Sequence, residues 1–215
     1  MKVISVNVGL PRPVMYNGEP ASTGIYKTPV AGPVKVNEVN LAGDAQADLS
    51  VHGGYYKAVY VYPFEHYEFW QGELSETELP LAIFGENLTT IGLLETEVCI
   101  GDKLRIGTAE FVVTQPRFPC FKLGIRFGRK DIIRRFQKSK RSGFYLAILK
   151  TGEIQANDSI EIFERDQTRF SIAEAITLRD EGVGDLEKVR RALEIEALPE
   201  SWKTRIRKSL NLLHI

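Results

Sequence analysis

The segment Gln115-Pro-Arg117-Phe-Pro-Cys120-Phe-Lys122-Leu123 brings together the residue types that can hold a reactive thiol. Pro116 and Pro119 each fix φ and bias the preceding residue towards extended backbone, so Cys120 is expected in a defined pose at a strand end. Arg117 and Lys122 flank it, and Arg126, Arg129 and Lys130 follow closely. Nearby cations favour the thiolate, which is both a nucleophile and a soft metal ligand. The chain's other cysteine, Cys99, lies in Glu97-Val-Cys99-Ile-Gly101, which reads as a plain strand entering a turn. A free cysteine in that setting is a small core hydrophobe.

A second constellation is Gly43-Asp-Ala-Gln-Ala-Asp48 through His52-Gly53-Gly54, followed by Lys57. Paired glycines let backbone approach a ligand and turn N–H groups towards an anion. His52 can donate a hydrogen bond or move a proton near neutral pH, and Lys57 can meet a phosphate as a point charge. The same residues also suit an ordinary turn with aspartate caps. Phe84-Gly-Glu-Asn87-Leu88 reads as a structural turn, and Ser22-Thr-Gly-Ile-Tyr-Lys27 offers one further cation. Other chemistries lack their signatures. There is no CxxC, HExxH, G-x-G-x-x-G, P-loop or G-x-S-x-G, and the three histidines form no i,i+4 pair.

These residues need a scaffold, and most of the first two-thirds of the chain reads as strands and turns. Strands are expected at 3–8, 34–39, 58–62, 97–100, 103–106, 109–114, 144–149 and 159–163, with Gly, Asp and Asn turns between several of them. Residues 11–33, rich in Pro, Gly, Ser and Thr, suggest an extended loop or hairpin region. Strands this short and close imply antiparallel pairing, in a barrel or sandwich. Helices are expected from Pro63 through Trp70 and over 131–138. After about Glu164 the pattern changes. Ser171-Ile-Ala-Glu174 is a capping box, Gly182-Val-Gly184 a break, Asp185 a second cap and Pro199 a third helix start. The fold expected is mainly β (α+β). A mostly antiparallel barrel with inserted helices spans 1–165, and a small three-helix appendage spans 166–215 and docks on the barrel or on a partner.

The chain's 215 residues carry 28 Lys and Arg against 28 Asp and Glu. That balance argues against non-specific nucleic-acid binding, which needs a basic surface. No stretch has the length and apolarity of a membrane span, and the N-terminus lacks a signal-peptide core. Two unpaired cysteines fit a reducing, cytoplasmic setting.

Taken together, the segments at 22–27, 43–59, 85–88 and 115–123 resemble the MOSC family, named for the C-terminal domain of molybdenum cofactor sulfurases. The resemblance is greatest to its YiiM-type bacterial members, and it extends to the C-terminal helices. In related molybdenum enzymes the family cysteine ligates molybdenum beside the pterin dithiolene. The resemblance therefore implies a molybdenum cofactor (Mo-pterin) with Cys120 as metal ligand and catalytic residue, and His52 as proton donor or cofactor contact. It makes Lys27, Gly53, Gly54, Lys57, Asn87, Arg117 and Lys122 the candidate cofactor-binding residues. The implied reaction is reduction of small N-hydroxylated compounds such as 6-hydroxylaminopurine. Two cysteines are too few for an iron–sulfur cluster, so electrons would come from a separate reductase. Two other readings remain open at this stage: a sulfur-relay or cofactor-carrier module working through a Cys120 persulfide, and a cysteine hydrolase with His52 as base. The sequence leaves the oligomeric state, a homodimer included, undecided.

Overall fold

The computed structural model describes residues 1–47, 54–182 and 184–211. The chain begins with β1 (Lys2–Val8), whose inward positions Val3 and Val6 are fully buried. A hairpin of β2 (Arg12–Tyr16) and β3 (Glu19–Thr23) follows, turned by Asn17 and Gly18, both at positive φ. Next come the short β4 (Thr28–Pro29), β5 (Val34–Val36) and β6 (Val59–Pro63). Helix α1 (Glu65–Glu73) leads to β7 (Leu88–Ile91), β8 (Lys103–Ile106) and β9 (Ala109–Pro116). Helices α2 (Phe121–Phe127) and α3 (Ile132–Ser139) precede β10 (Phe144–Lys150), β11 (Gly152–Ile154) and β12 (Ile160–Glu164). Helices α4 (Ile172–Glu181), α5 (Leu186–Glu194) and α6 (Glu200–Asn211) complete the order.

Eight strands form one sheet in the order β12-β8-β9-β10-β6-β7-β1-β4. Every neighbouring pair in it is antiparallel except β6–β7, which is parallel. The architecture is therefore mixed α+β around a large, mostly antiparallel sheet. The strand pairings of the described residues do not close it into a barrel. Instead the start of β1 meets the turn before β12 through single backbone bonds, Val3 N–H to the Asp158 carbonyl at 2.9 Å and Ile160 N–H to the Met1 carbonyl at 3.0 Å.

Three expectations need correction. The parallel pair arises because α1 and its flanking loops supply the long crossover that parallel strands require; the second strand, β7, has a buried polar Thr-Thr centre that concealed it. Residues 97–100 form no strand. Asp102 Oδ2 accepts the Cys99 N–H at 2.9 Å, and Cys99 makes only an isolated bridge to Ser171. The strand expected at 34–39 stops at Val36. Asn37 and Asn40 then bond to each other through backbone and side chain, which favours a turn over the ladder.

Two apolar clusters fill the fold. The larger lies between the sheet and the C-terminal helices, so Ile172, Ile176, Val189 and Ile206 share one core with Val3, Leu104 and Phe111. The smaller is aromatic, with Trp70 stacked on Phe136 at 5.8 Å and packed beside Phe84 and Tyr62. Trp70 Nε1 donates to the Tyr62 hydroxyl at 2.7 Å, which satisfies the buried indole.

The capping box at the start of α4 is complete. Ser171 Oγ accepts from Glu174 N–H at 3.1 Å, and Glu174 Oε2 accepts from Ser171 N–H at 2.8 Å. Arg191 from α5 donates to the same carboxylate at 2.9 Å. Replacing Ser171 by Ala should lower unfolding stability by about 1 kcal/mol, the usual cost of a lost N-cap. The shift in the urea unfolding midpoint measures it.

Candidate active site

Cys120 sits where the sheet hands the chain to α2. Strand β9 ends at Pro116, and Pro119 holds extended backbone into Cys120, which is the N-cap of α2 at φ −124° and ψ −179°. Its carbonyl accepts the Leu123 N–H at 3.0 Å. Cys120 is half-buried and lines an open cleft. Lys57 and Lys122 line the same cleft, as do Arg117 and the ring of Phe118. None of the described lining residues is a carboxylate.

Arg117 is the most buried of these cations, 6% exposed. Its guanidinium lies 5.1 Å from the Tyr60 ring centroid and 5.0 Å from that of Phe136. Its backbone N–H is tied to the Gly143 carbonyl at 3.2 Å. Nη1 is buried without a hydrogen-bond partner. Burial works against the charge, but Tyr60, Tyr145 and Cys120 outweigh it and hold the guanidinium firmly protonated. Burial also raises the Tyr145 hydroxyl above the usual phenol range, with Arg117 pulling it back. Desolvation alone pulls Lys57 below the ordinary lysine range.

The opposite wall comes from the loop at 23–27 and the turn at 84–87. Two glycines let them meet. A Cβ at Gly24 would lie 2.5 Å from the Ala45 carbonyl oxygen, and one at Gly85, at φ 82°, would lie 2.6 Å from Ile25 Cγ1. Beneath them lies a buried polar network. Lys27 is paired with Asp44, and desolvation lowers its pKa although Asp44 opposes the shift. Asn87 Nδ2 donates to Asp44 Oδ2 at 2.9 Å and to the Asn7 carbonyl at 3.3 Å. Asn87 Oδ1 accepts the Tyr60 N–H at 3.0 Å.

Of the residues singled out from sequence, Cys120, Lys57, Lys122, Arg117, Lys27 and Asn87 all line this cleft. Lys27 reaches it already paired with Asp44, and Asn87 already bonded to Asp44, Asn7 and Tyr60. Gly54 starts the turn at 55–57, exposed and outside the cleft wall. His52 and Gly53 lie outside the described residues. Sequence reasoning passed over Asp44, Tyr60, Phe118 and Tyr145. Asp44 looked like a turn cap, and no spacing marks an aromatic as cleft wall. Cys99, by contrast, is buried, and burial, reinforced by Asp102, pushes its thiol up. Among the described residues no group of three or more His, Cys, Asp or Glu could hold a metal ion, and no helix is long and apolar enough to cross a membrane.

Residues 48–161 match the MOSC domain, and that segment contains the β9–α2 junction with Cys120. The chain belongs to the MOSC family. Within it, this MOSC protein is 40% identical to YflK of Bacillus subtilis over 211 residues, 98% of this chain and 95% of that one. It is 36% identical to YiiM of Escherichia coli, covering 89% of this chain and 85% of YiiM. The solved structure of YiiM from Geobacillus stearothermophilus superposes with a TM-score of 0.82 at 31% identity, over 97% of this chain and 98% of that one. The chain is thus a YiiM-type MOSC protein. A 158-residue stretch of it, 72% of its length, is also 36% identical to 28% of a reductase of Gibberella moniliformis.

Glu86 stands at the base of the site, fully buried. Its Oε1 accepts from the Tyr67 hydroxyl, from the Ala82 N–H at 3.1 Å and from the Thr89 hydroxyl at 3.1 Å, whereas Oε2 has no partner. Desolvation raises its pKa above the ordinary carboxylate value of 4.5, against the pull of these donors. A raised folded-state pKa means that stability is fully present below the ordinary value of 4.5 and is lost as pH rises through the folded pKa. Glu86→Gln keeps the acceptor oxygen and removes the charge. The variant should therefore gain stability relative to wild type as pH rises from the carboxylate range towards neutral. Paired denaturation curves across that range measure the difference, and parallel curves would show that Glu86 does not titrate this way.

Proposed function

We propose that the protein binds a molybdenum-bearing pterin cofactor in the Cys120 cleft and reduces N-hydroxylated compounds with electrons from a separate reductase. The observation that carries this reading is the cleft itself: a half-buried thiol beside three cations, with no described carboxylate in the lining. A thiolate is a suitable soft ligand, and the buried, unpartnered Nη1 of Arg117 is a ready donor to an anionic group. The Mo-pterin group would bring its own further sulfur ligands and supply the redox chemistry. Family membership and the reductase relative both support a redox role.

The chain's own residues then divide the work. Cys120 is the single protein ligand to the metal. Arg117, Lys57 and Lys122 hold the anionic parts of the cofactor. Lys27, committed to Asp44, braces the wall opposite. Phe118 and Tyr60 exclude water from the cleft. The overall reaction cleaves an N–O bond: the hydroxylamine takes up two electrons from the reductase and two protons, and leaves as amine plus water. His52, outside the described residues, is the proposed proton donor.

The test is elemental analysis of protein made in a host that synthesises the cofactor. Near-stoichiometric molybdenum in the wild type should be lost from Cys120→Ser while circular dichroism stays unchanged, and turnover of 6-hydroxylaminopurine should disappear with it. Molybdenum retained in the variant would overturn the ligand assignment. Molybdenum-free wild type carrying cyanide-releasable sulfur would establish a sulfur-relay module instead. Cys99→Ser, in the core, should keep both molybdenum and turnover.

A further inference from the structure

A second groove, of about 300 Å³, opens between the sheet and the C-terminal helices. That volume is at the lower end of the range of small-molecule sites, and still beyond a lone phosphate. It shares Lys57 and Phe118 with the Cys120 cleft, so the two are contiguous. Its other walls are Arg179 from α4, and Trp202 and Arg205 from α6.

The groove's charge is one-sided. No Asp or Glu lines it, and among the described residues neither Arg179 nor Arg205 has a carboxylate within salt-bridge distance. Asp180, the sequence neighbour of Arg179, supports its charge and lines a different, smaller cavity. The Arg179 guanidinium lies 3.3 Å over the Phe118 ring, so its position is set by stacking and not by an ion pair. Desolvation first, then Arg205, works against its charge. A half-buried and an exposed guanidinium lining one groove favour an anion that both can meet, and guanidinium forks match phosphate oxygens.

The groove is also aromatic. Trp202 is half-buried, lies 5.7 Å from Phe118 and is fixed by its Nε1 donating to Gln115 Oε1 at 3.0 Å. Leu178 and Ile206 continue the apolar wall. A flat heterocycle packs on such a surface, as bases do on aromatic side chains and guanidinium planes.

From these observations we infer that the groove binds a nucleoside monophosphate, its phosphate on Arg179 and Arg205 and its ring against Trp202. Lys57 and Phe118 are common to both pockets, so the bound nucleotide adjoins the Cys120 cleft. Joined to the reading of the preceding section, on which only this last step rests, the preferred substrates are nucleotides and not free bases.

Titration of the full-length protein with adenosine 5′-monophosphate, followed by calorimetry and by fluorescence of the half-exposed Trp202, tests the site. Saturable binding is expected, with adenosine and inorganic phosphate each at least tenfold weaker. Arg179→Gln and Arg205→Gln should each weaken the nucleotide at least tenfold while leaving adenosine unchanged. Cys120→Ser should bind it as wild type does, so this result is independent of whether molybdenum is present. Absence of nucleotide binding, equal affinity for adenosine, or indifference to both arginine variants would overturn the site. Affinity for inorganic phosphate equal to that for the nucleotide would reduce it to a simple anion site and overturn the assignment of a ring.

Discussion

The carboxylate of Asp44 is the tie on which the Cys120 cleft depends. It is buried, and it accepts from Lys27, from Asn87 and from the Gly9 N–H at 3.0 Å. Through Asn87 the same network reaches the backbone of Tyr60 on β6 and Asn7 on β1. Five chain segments distant in sequence thus converge on one charge. Taking an ion out of water costs several kcal/mol unless its lone pairs are met, so each donor is needed for the others to be worthwhile. The loops at 24–27 and 43–47 have little regular structure of their own. Their backbone placement comes from this buried pair and from the two glycines that allow close approach.

The floor and the mouth of the site are consequently different electrostatic environments. Below, the lysine and the aspartate offset each other's charge. Above, Arg117 keeps its charge among aromatic rings with one nitrogen unpartnered. Stacking on Tyr60 and Phe136 orients a guanidinium without neutralising it, whereas a carboxylate would do both. The same device recurs in the second groove, where Arg179 rests on Phe118. The C-terminal helices enter the picture here. They share the main core with the sheet, and α4 and α6 also carry the cations and the indole that wall the groove.

Much of the scaffold was legible in the sequence because its signals are local. A β-type run ended by Gly9 and Pro11 marked β1, and turn residues bounded β8, β9, β10 and β12. The Ser171–Glu174 pair and Asp185 marked helix starts that the hydrogen bonds match. The signals failed where a distant partner outbid the local pattern. Residues 97–100 have a strand's composition, but Leu94, Asp102 and Phe170 take their backbone donors. Strand β7 has buried threonines, polar by type, whose place in the sheet was hidden until β6 and β1 were set on either side of it.

For the site, the sequence by itself determined the chemistry available: a thiol between two prolines, flanking cations, and glycines where backbones must approach. Those are properties of residue type and of φ, and they do not depend on neighbours in space. It also carried the set of motifs that marks the MOSC family. Only the tertiary structure decided which charges remain available. Lys27, for one, is paired with a carboxylate 17 residues away that only the fold brings to it. Arg179 gains its place by stacking on a ring that lies far from it in sequence. Pairing, burial and stacking are decided by distances between segments, and the order of residues along the chain does not contain those distances.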